Sequence, residues 1–524
     1  MFLSPQRVGH ALQLIAKGAT HETICTNQLV LRRSAHGYPR LIPRARGERE
    51  SERRSEMTLD KESRIYRKAL LRGVGECVTM LATEAARRKF RPLVEWACGR
   101  ALGYDPQIEG SRALLLYDLI NQYPDANPFI DIVEKRFFSS MRKSDGHWLF
   151  VQECELLALF SINGNRRARR ILERGYDELY GRLCRIRPER IAAPYIPEPD
   201  NFAALCEQLL LDAKTVAAQS MFGRIAKDVG RLCLRDGFWN SLAESVHLSV
   251  GFVLGDRRLA ALVGRIEPSA EVEAYKAALA LADEERCRTE PPTLGYRKVY
   301  NQINERGTFG ISYMVRQWRV NGRTKDIEGL ARLYRVENDC YVRAQLLDMF
   351  SAPDTRCEGY LPLDDLLRDS ASADEALSRA ALGVLSHVRN TRVHDMALDG
   401  IRERGASCEL FEVLAFNYQE EDDDILISAS RKLGGLSHDA LSVLARLAER
   451  NSGVRLSNRM LSHLYDLLYC TCCRERCVRE MGRRGLLTNE MLNDCLHDAS
   501  IEIRCYAARL LKRRAAHNTE RSNL

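Results

Sequence analysis

The feature that most constrains this chain is an apolar stripe of helical period that recurs along most of its length. From residue 57 onward, apolar residues recur at i, i+3, i+4 and i+7 for about 12 to 18 residues at a time. Gly, Pro, Asn or Asp then interrupts the pattern and another stripe follows. Residues 111–124 are typical, since their leucines share one face and Pro124 ends the helix. Only residues 309–315 are a candidate for extended structure, so the chain is predicted to be all-α.

Composition favours the same fold class. The chain of 524 residues holds only 16 prolines, and 7% of its residues are aromatic, whereas strands are enriched in aromatic and β-branched residues. Hydrophobic residues make up 45% and charged residues 29%, which is typical of a folded, soluble protein. Apolar runs all fall short of the ~18 residues of a membrane span. We therefore expect a cytoplasmic protein without a membrane partner.

The net charge of +8 is distributed unevenly. Residues 1–56 carry ten Lys/Arg and five Asp/Glu, which leaves only three net charges for the rest of the chain. Such a body is not a phosphate-binding protein by charge alone. The Arg-rich, Ser-rich segment 1–56 is predicted to be a disordered extension or to precede the true start at Met57, with Thr58 or Asp60 capping the first helix. A mitochondrial targeting peptide is the alternative.

The cysteines suggest buried thiols. There are 17 of them, an odd number spread along a chain without a secretory signal, so a disulfide framework is not expected. The densest cluster, residues 469–477, places Cys470, Cys473 and Cys477 on one helix face. This arrangement favours a stripe of small core residues over a zinc site.

Sequence motifs for catalysis are missing. The chain has no P-loop, no dinucleotide-binding glycine fingerprint, no zincin motif and no nucleophile elbow. The adjacent Ser437, His438 and Asp439 are better explained by a serine N-cap than by a catalytic triad. The acidic run 419–426 fits a helix N-terminus. We therefore predict no enzyme activity, no metal and no cofactor.

A second pattern is an acid placed six residues before a helix arginine. It occurs at Asp498 and Arg504, at Glu337 and Arg343, and at Glu449 and Arg455. Asp422 precedes Ser428 at the same distance, and Arg379 follows Asp374 by five. An acid near a helix N-terminus is favoured by the helix dipole, and an arginine fork can cross-link neighbouring units.

Between about residues 325 and 511, this pattern resembles the second helix of a HEAT repeat, of the armadillo/HEAT type. In that family, the turn acid and the helix arginine bond across neighbouring repeats and form a ladder. The resemblance implies an α-solenoid of stacked antiparallel helix pairs, although the arginines here are irregularly spaced. The predicted regions are an extension (1–56), an N-terminal helical region with a Pro-rich break at 187–201 (57–290), HEAT-like repeats (291–511) and a polar tail (512–524).

The functional expectation is a non-enzymatic scaffold or adaptor whose concave helical surface binds another protein. Two alternatives follow from the same resemblance: a nucleic-acid-binding protein, since one HEAT-like family is a DNA glycosylase, and a protein similar to the HEAT-like bilin lyases. Residues 297–325 mix basic and aromatic side chains, as surfaces that grip single strands do. The candidate partner surface there consists of Arg316, Trp318, Arg319 and Arg323.

Overall fold

In a computed structural model, the structure describes residues 59–103, 110–143, 146–186, 197–211, 216–288, 295–304, 324–350, 359–405, 407–433, 438–445 and 456–522. Every regular element in these ranges is a helix, which confirms the predicted all-α class. The extension 1–56 and the stretch 309–315 lie outside the described residues. Among the helices that are described, none combines the length and the hydropathy that a bilayer crossing requires.

The helices are, in chain order, α1 (Lys61–Arg72), α2 (Glu76–Thr79), α3 (Glu84–Cys98), α4 (Ala113–Ile120), α5 (Asn127–Ser140), α6 (His147–Ile162), α7 (Arg166–Leu183), α8 (Pro197–Leu209), α9 (Val216–Arg235), α10 (Asn240–Leu254), α11 (Asp256–Val263), α12 (Ala270–Arg288), α13 (Tyr296–Asn304), α14 (Thr324–Val336), α15 (Cys340–Phe350), α16 (Leu363–Ser370), α17 (Glu375–Leu385), α18 (Thr391–Arg404), α19 (Cys408–Asn417), α20 (Asp423–Leu433), α21 (His438–Ala445), α22 (Asn458–Leu467), α23 (Thr471–Arg483), α24 (Asn489–Cys495) and α25 (Ile501–Ser522). Short 3-10 turns occur at Gly237–Trp239 and Glu420–Asp422.

Helix ends follow the local signals in the sequence. Asp60, one of the two predicted caps, accepts a hydrogen bond from the backbone N–H of Ser63 at 2.7 Å and starts α1. After α6 ends, Gly164 turns the chain away from the helix with a φ of 95°, a conformation that glycine adopts without strain. The predicted Pro-rich break is shorter than expected, because α8 already begins at Pro197. Proline is tolerated in a first helical turn, whose N–H groups have no partner within the helix.

The chain forms two compact units. The first contains Met1–Arg288, Cys470–Glu475 and Leu487–Leu524, and the second contains Thr289–Tyr469 and Arg476–Leu486. The predicted domain boundaries, including the one at 290, stay predictions.

In the first unit, α6 is the central helix. It packs against α4, α5, α7 and α8, and it is buried around most of its circumference, from Phe150 to Phe160. The next layer follows from α8 through α10 to α12, with α9 packed along α12. A continuous apolar core joins these helices, as expected when every stripe must be covered by a neighbour.

The C-terminal helices also belong to the first unit. The backbone N–H of Ala499 donates to the carbonyl of Gly73 at 2.8 Å, α24 contacts α2, and Ile501 and Cys505 join the same apolar core. The predicted tail from 512 is also helical, since α25 continues to Ser522 without a Gly or Pro to stop it.

The second unit is built from consecutive helix pairs. Contacts join α14 to α15, α16 to α17, and α18 to α19. The second helices form one row, in which α15, α17, α19 and α21 each contact the next, and α18, α20 and α22 form another. Each second helix from α15 to α19 therefore packs against its partner and against the second helix of the next pair, an arrangement compatible with a helical repeat.

Candidate functional site

Arg343 is the predicted ladder residue that the structure describes most fully. Its guanidinium donates to the backbone carbonyl of Glu337, six residues earlier, at 2.9 Å. Its carboxylate partner is Asp369, at the end of α16 and 26 residues later. The Glu337 carboxylate instead accepts from the Tyr300 hydroxyl at 2.8 Å, and hydrogen bonds led by the backbone N–H of Asp339 lower its pKa. The spacing of six thus brings the arginine to a carbonyl rather than to the carboxylate.

Arg504 has the same relation to Asp498. Its guanidinium donates to the Asp498 backbone carbonyl and, at 2.8 Å, to the Asp118 carboxylate. The Asp498 carboxylate forms an ion pair with Arg474, whose Nη2 lies 2.9 Å from Asp498 Oδ2. Arg474 is fully buried and also donates to the carbonyls of Arg72 and Gly73. Sequence inspection passed over Arg474, because its acid lies 24 residues downstream and not within its own helix.

The other predicted ladder residues differ from Arg343. Arg379 is exposed and pairs with Glu375 in its own helix and, at 3.5 Å, with Glu409. Asp422 is buried and lies 3.1 Å from Nε2 of His394. Glu449 and Arg455 lie outside the described residues.

Of the other predicted features, some lie within the described residues and some lie outside them. Cys470, which immediately precedes α23, and Cys473 and Cys477 within α23 are all buried, as predicted for core thiols. The acids of 419–426 occupy the 3-10 turn and the first turn of α20, as predicted for a helix start. The partner-surface residues Arg316, Trp318, Arg319 and Arg323, and also Ser437, lie outside the residues that the structure describes.

A solvent-open depression among the described residues lies in the first unit, between α9 and the turn that joins α11 to α12. It has a volume of about 510 Å³, within the range of small ligand sites. We call it the basic groove. It is lined by Gln219, Ser220, Gly223, Arg224, Lys227, Asp228, Arg231, Leu262, Arg265, Ile266 and Glu267.

A close helix crossing sets the shape of the basic groove. A Cβ atom added to Gly230 would lie 1.8 Å from the backbone oxygen of Glu271, so glycine at this position allows α9 and α12 to touch. Ser269 accepts from the backbone N–H of Val272 and caps the start of α12. This contact fixes the turn before α12 above α9, and that turn supplies Arg265 and Ile266 to the second wall.

The basic groove contains four basic side chains, Arg224, Lys227, Arg231 and Arg265. Arg224 and Arg231 are bonded to neighbouring side chains. Arg224 contacts Asp177 at 2.5 Å and lies over the ring of buried Tyr176, 4.7 Å from its centroid. Arg231 contacts Asp228 at 3.2 Å, and Asp228 also accepts from the Tyr176 hydroxyl at 2.9 Å. These contacts hold both arginines along α9.

Lys227 and Arg265 complete the charge of the basic groove. Within the part of the chain that the structure describes, neither side chain makes an ion pair, and Arg265 is exposed. Four cations therefore face two acids, Asp228 and Glu267, in the lining. This arrangement can bind carboxylates or other anions at a solvent-open site.

A second polar feature of the first unit is buried on α6. Glu153 accepts from the Ser140 hydroxyl at 2.7 Å, and Glu155 is hydrogen-bonded to the Ser111 hydroxyl. Burial raises the pKa of Glu153 well above its ordinary value and raises the pKa of Glu155 to about 7. These carboxyls lie in a packed core, where they accept hydrogen bonds from serine hydroxyls.

The spacing of residues in the sequence could have indicated the α9 wall of the basic groove. Residues 220, 224, 227 and 231 recur at helical spacing and place Arg224, Lys227 and Arg231 on one face. The sequence does not indicate that Arg265 joins this face, because its position depends on the close crossing of α9 and α12 at Gly230.

No protein family model, curated protein or solved structure matches this chain.

Proposed function

We propose that this chain is a non-enzymatic scaffold or adaptor of the HEAT-like helical-repeat type, whose surface binds another protein. The observation that carries the proposal is the row of helix pairs in the second unit, in which each second helix packs on the next. Stacked pairs of this kind present long continuous surfaces, and many such surfaces recognise polypeptides.

The buried polar groups of the second unit support this proposal, because they join helices to one another. Arg343 and Tyr334 both donate to Asp369, and these bonds join α14 and α15 to α16.

The second unit also contains a serine–histidine contact, with Ser430 Oγ 2.8 Å from His463 Nε2. Ser430 is fully buried and donates to the carbonyl of Ile427, so this pair lacks the access to substrate that a nucleophile needs.

The test is affinity capture with the full chain as bait in native cells, followed by reconstitution. Captured proteins are identified by mass spectrometry against a tag-only bait, and each reproducible candidate is purified and titrated calorimetrically. We expect at least one purified protein to bind at a defined stoichiometry. Failure to recover any protein above the tag-only bait in repeated captures would contradict the proposal.

A further inference from the structure

We propose that the basic groove binds an extended, acidic peptide segment of a partner protein. This inference rests on the proposed function, since it names the chemistry of the partner and the surface that holds it. It depends on three properties of the groove: the placement of its charges, its length and the mixed character of its walls.

The charges can surround a carboxylate from two sides. Lys227 lies on α9, and Arg265 lies on the turn that forms the opposite wall. Lysine has three N–H donors and arginine five, and within the described structure neither side chain gives them to an acid. Arg224 and Arg231 extend the row and are already fixed by Asp177 and Asp228, so ordering them on binding costs little entropy.

The length of the basic groove suits a short extended segment. Its α9 wall runs from Gln219 to Arg231, which corresponds to about 18 Å at 1.5 Å per helical residue. An extended peptide advances about 3.3 Å per residue, so roughly five residues span the groove. Acidic side chains that alternate along such a peptide would face the α9 row.

The walls favour a peptide over a nucleic acid. Asp228 and Glu267 interrupt the positive potential that a phosphate backbone requires. None of the residues that line the groove is aromatic, whereas single strands are gripped by stacking on aromatic rings. Leu262 and Ile266 offer apolar contact to an aliphatic side chain between the acidic ones. The chain's own residues 1–56 carry a surplus of positive charge and do not complement the groove.

The experiment measures binding of a fluorescein-labelled peptide that alternates Asp and Glu around a central Leu, by fluorescence anisotropy with the full chain. A peptide with Asn and Gln in place of the acids and a single-stranded oligonucleotide of equal charge are run in parallel. The groove variant is Lys227→Glu with Arg265→Glu. Its matched control is Lys68→Glu with Arg166→Glu, two exposed positions on α1 and α7 with the same change in net charge.

We expect the acidic peptide to bind, the amide peptide to bind at least about tenfold more weakly, and the groove variant to lose at least about tenfold in affinity while the control keeps wild-type affinity. Circular dichroism confirms that both variants are folded, and Lys227→Ala with Arg265→Ala is a milder second variant expected to weaken binding about threefold. Equal binding by groove variant and control would overturn the inference, and so would preferential binding of the oligonucleotide through the groove.

The groove variant also separates this inference from the proposed function. When it captures the same cellular partners as wild type with equal affinity, the scaffold proposal stands and the peptide inference falls. When neither form captures a partner, the scaffold proposal itself falls.

Discussion

The acids buried on α6 in the first unit and those buried at helix ends in the second unit have different partners. Glu153 and Glu155 are bonded to serine hydroxyls. In the second unit, Asp369 accepts from Arg343 and Tyr334, and Asp422 faces His394. Both regions bury carboxyl groups in helical cores, but the α6 acids bond to hydroxyl groups, whereas the second-unit acids face an arginine or a histidine.

This difference separates two uses of a buried acid. On α6, burial dominates and raises the carboxyl pKa values, so the acids favour the neutral form and act as core hydrogen-bonding groups. In the second unit, the acid and its basic partner come from different helices, so the pair fixes how those helices pack. The partner, rather than the burial, decides which role an acid has.

The largest effect is expected at Arg474, whose pair with Asp498 in the first unit is almost fully buried, with side-chain exposures of 0% and 3%. Arg474→Met leaves a buried carboxylate without its cation and should lower the free energy of unfolding by about 3–5 kcal/mol. Denaturant unfolding followed by circular dichroism measures the loss.

The double variant Arg474→Met with Asp498→Asn is the control for this prediction. Asparagine removes the charge and can still cap the N–H of Ser500, which Asp498 now does at 2.8 Å. The double variant should therefore recover part of the lost stability. A single-variant loss below about 1 kcal/mol would show that the pair does not stabilise the packing of this segment against the end of α1.

Arg343→Met should come next, with a loss of about 2–4 kcal/mol. The Arg343 side chain is 11% exposed, and Asp369 has a second partner in the Tyr334 hydroxyl, which donates to it at 2.7 Å. Tyr334→Phe removes only that hydroxyl bond and should cost about 1 kcal/mol. The same unfolding assay ranks the two variants, and a larger loss for Tyr334→Phe would reverse the assignment of Arg343 as the main partner.

The sequence predicted the all-α fold class because helix formation depends on local information. Helical period, Asp60 as a cap and Gly164 as a stop act within a few residues. Arg343 and Arg504 were predicted as ladder residues, but the sequence did not indicate their carboxylate partners, since Asp369 and Asp118 are reached only through tertiary packing.

Long-range packing limited the prediction most. Arg474 bonds to the carbonyl of Arg72 across a separation of 402 residues, and no periodicity or cap signals such a contact. The basic groove is a mixed case, because its α9 face is periodic in sequence but its second wall depends on the backbone approach at Gly230. This groove was not predicted from the sequence, although the spacing of Arg224, Lys227 and Arg231 could have indicated its α9 face.

Glu155→Gln tests the α6 side of the comparison through pH. The folded pKa of about 7 lies above the ordinary value of 4.5, so the folded chain holds the proton more tightly. The free energy of unfolding of the wild type therefore falls as pH rises from about 4.5 to about 7. Glutamine can keep the contact with Ser111 and cannot ionise, so the variant should be about 3 kcal/mol more stable than wild type at pH 8 and within about 1 kcal/mol of it at pH 5.

Thermal unfolding of the two forms across this pH range measures the effect. Glu421→Gln, at an exposed position of the second unit, controls for the loss of one negative charge and should follow the wild-type profile. A destabilised Glu155→Gln at pH 8 would mean that the ionised carboxylate is the form the core prefers.

The smallest effect is expected at Arg379, which the spacing pattern placed beside Arg343 as an equivalent ladder residue. Its side chain is 60% exposed, and its partners Glu375 and Glu409 are themselves accessible to solvent. Exposed pairs of this kind contribute little after solvent screening, so Arg379→Met should change the free energy of unfolding by less than about 0.5 kcal/mol. Measured beside Arg343→Met, this variant separates burial from sequence pattern: equal losses at the two positions would mean that the pattern, and not a buried carboxylate partner, determines which arginines stabilise the helix pairs.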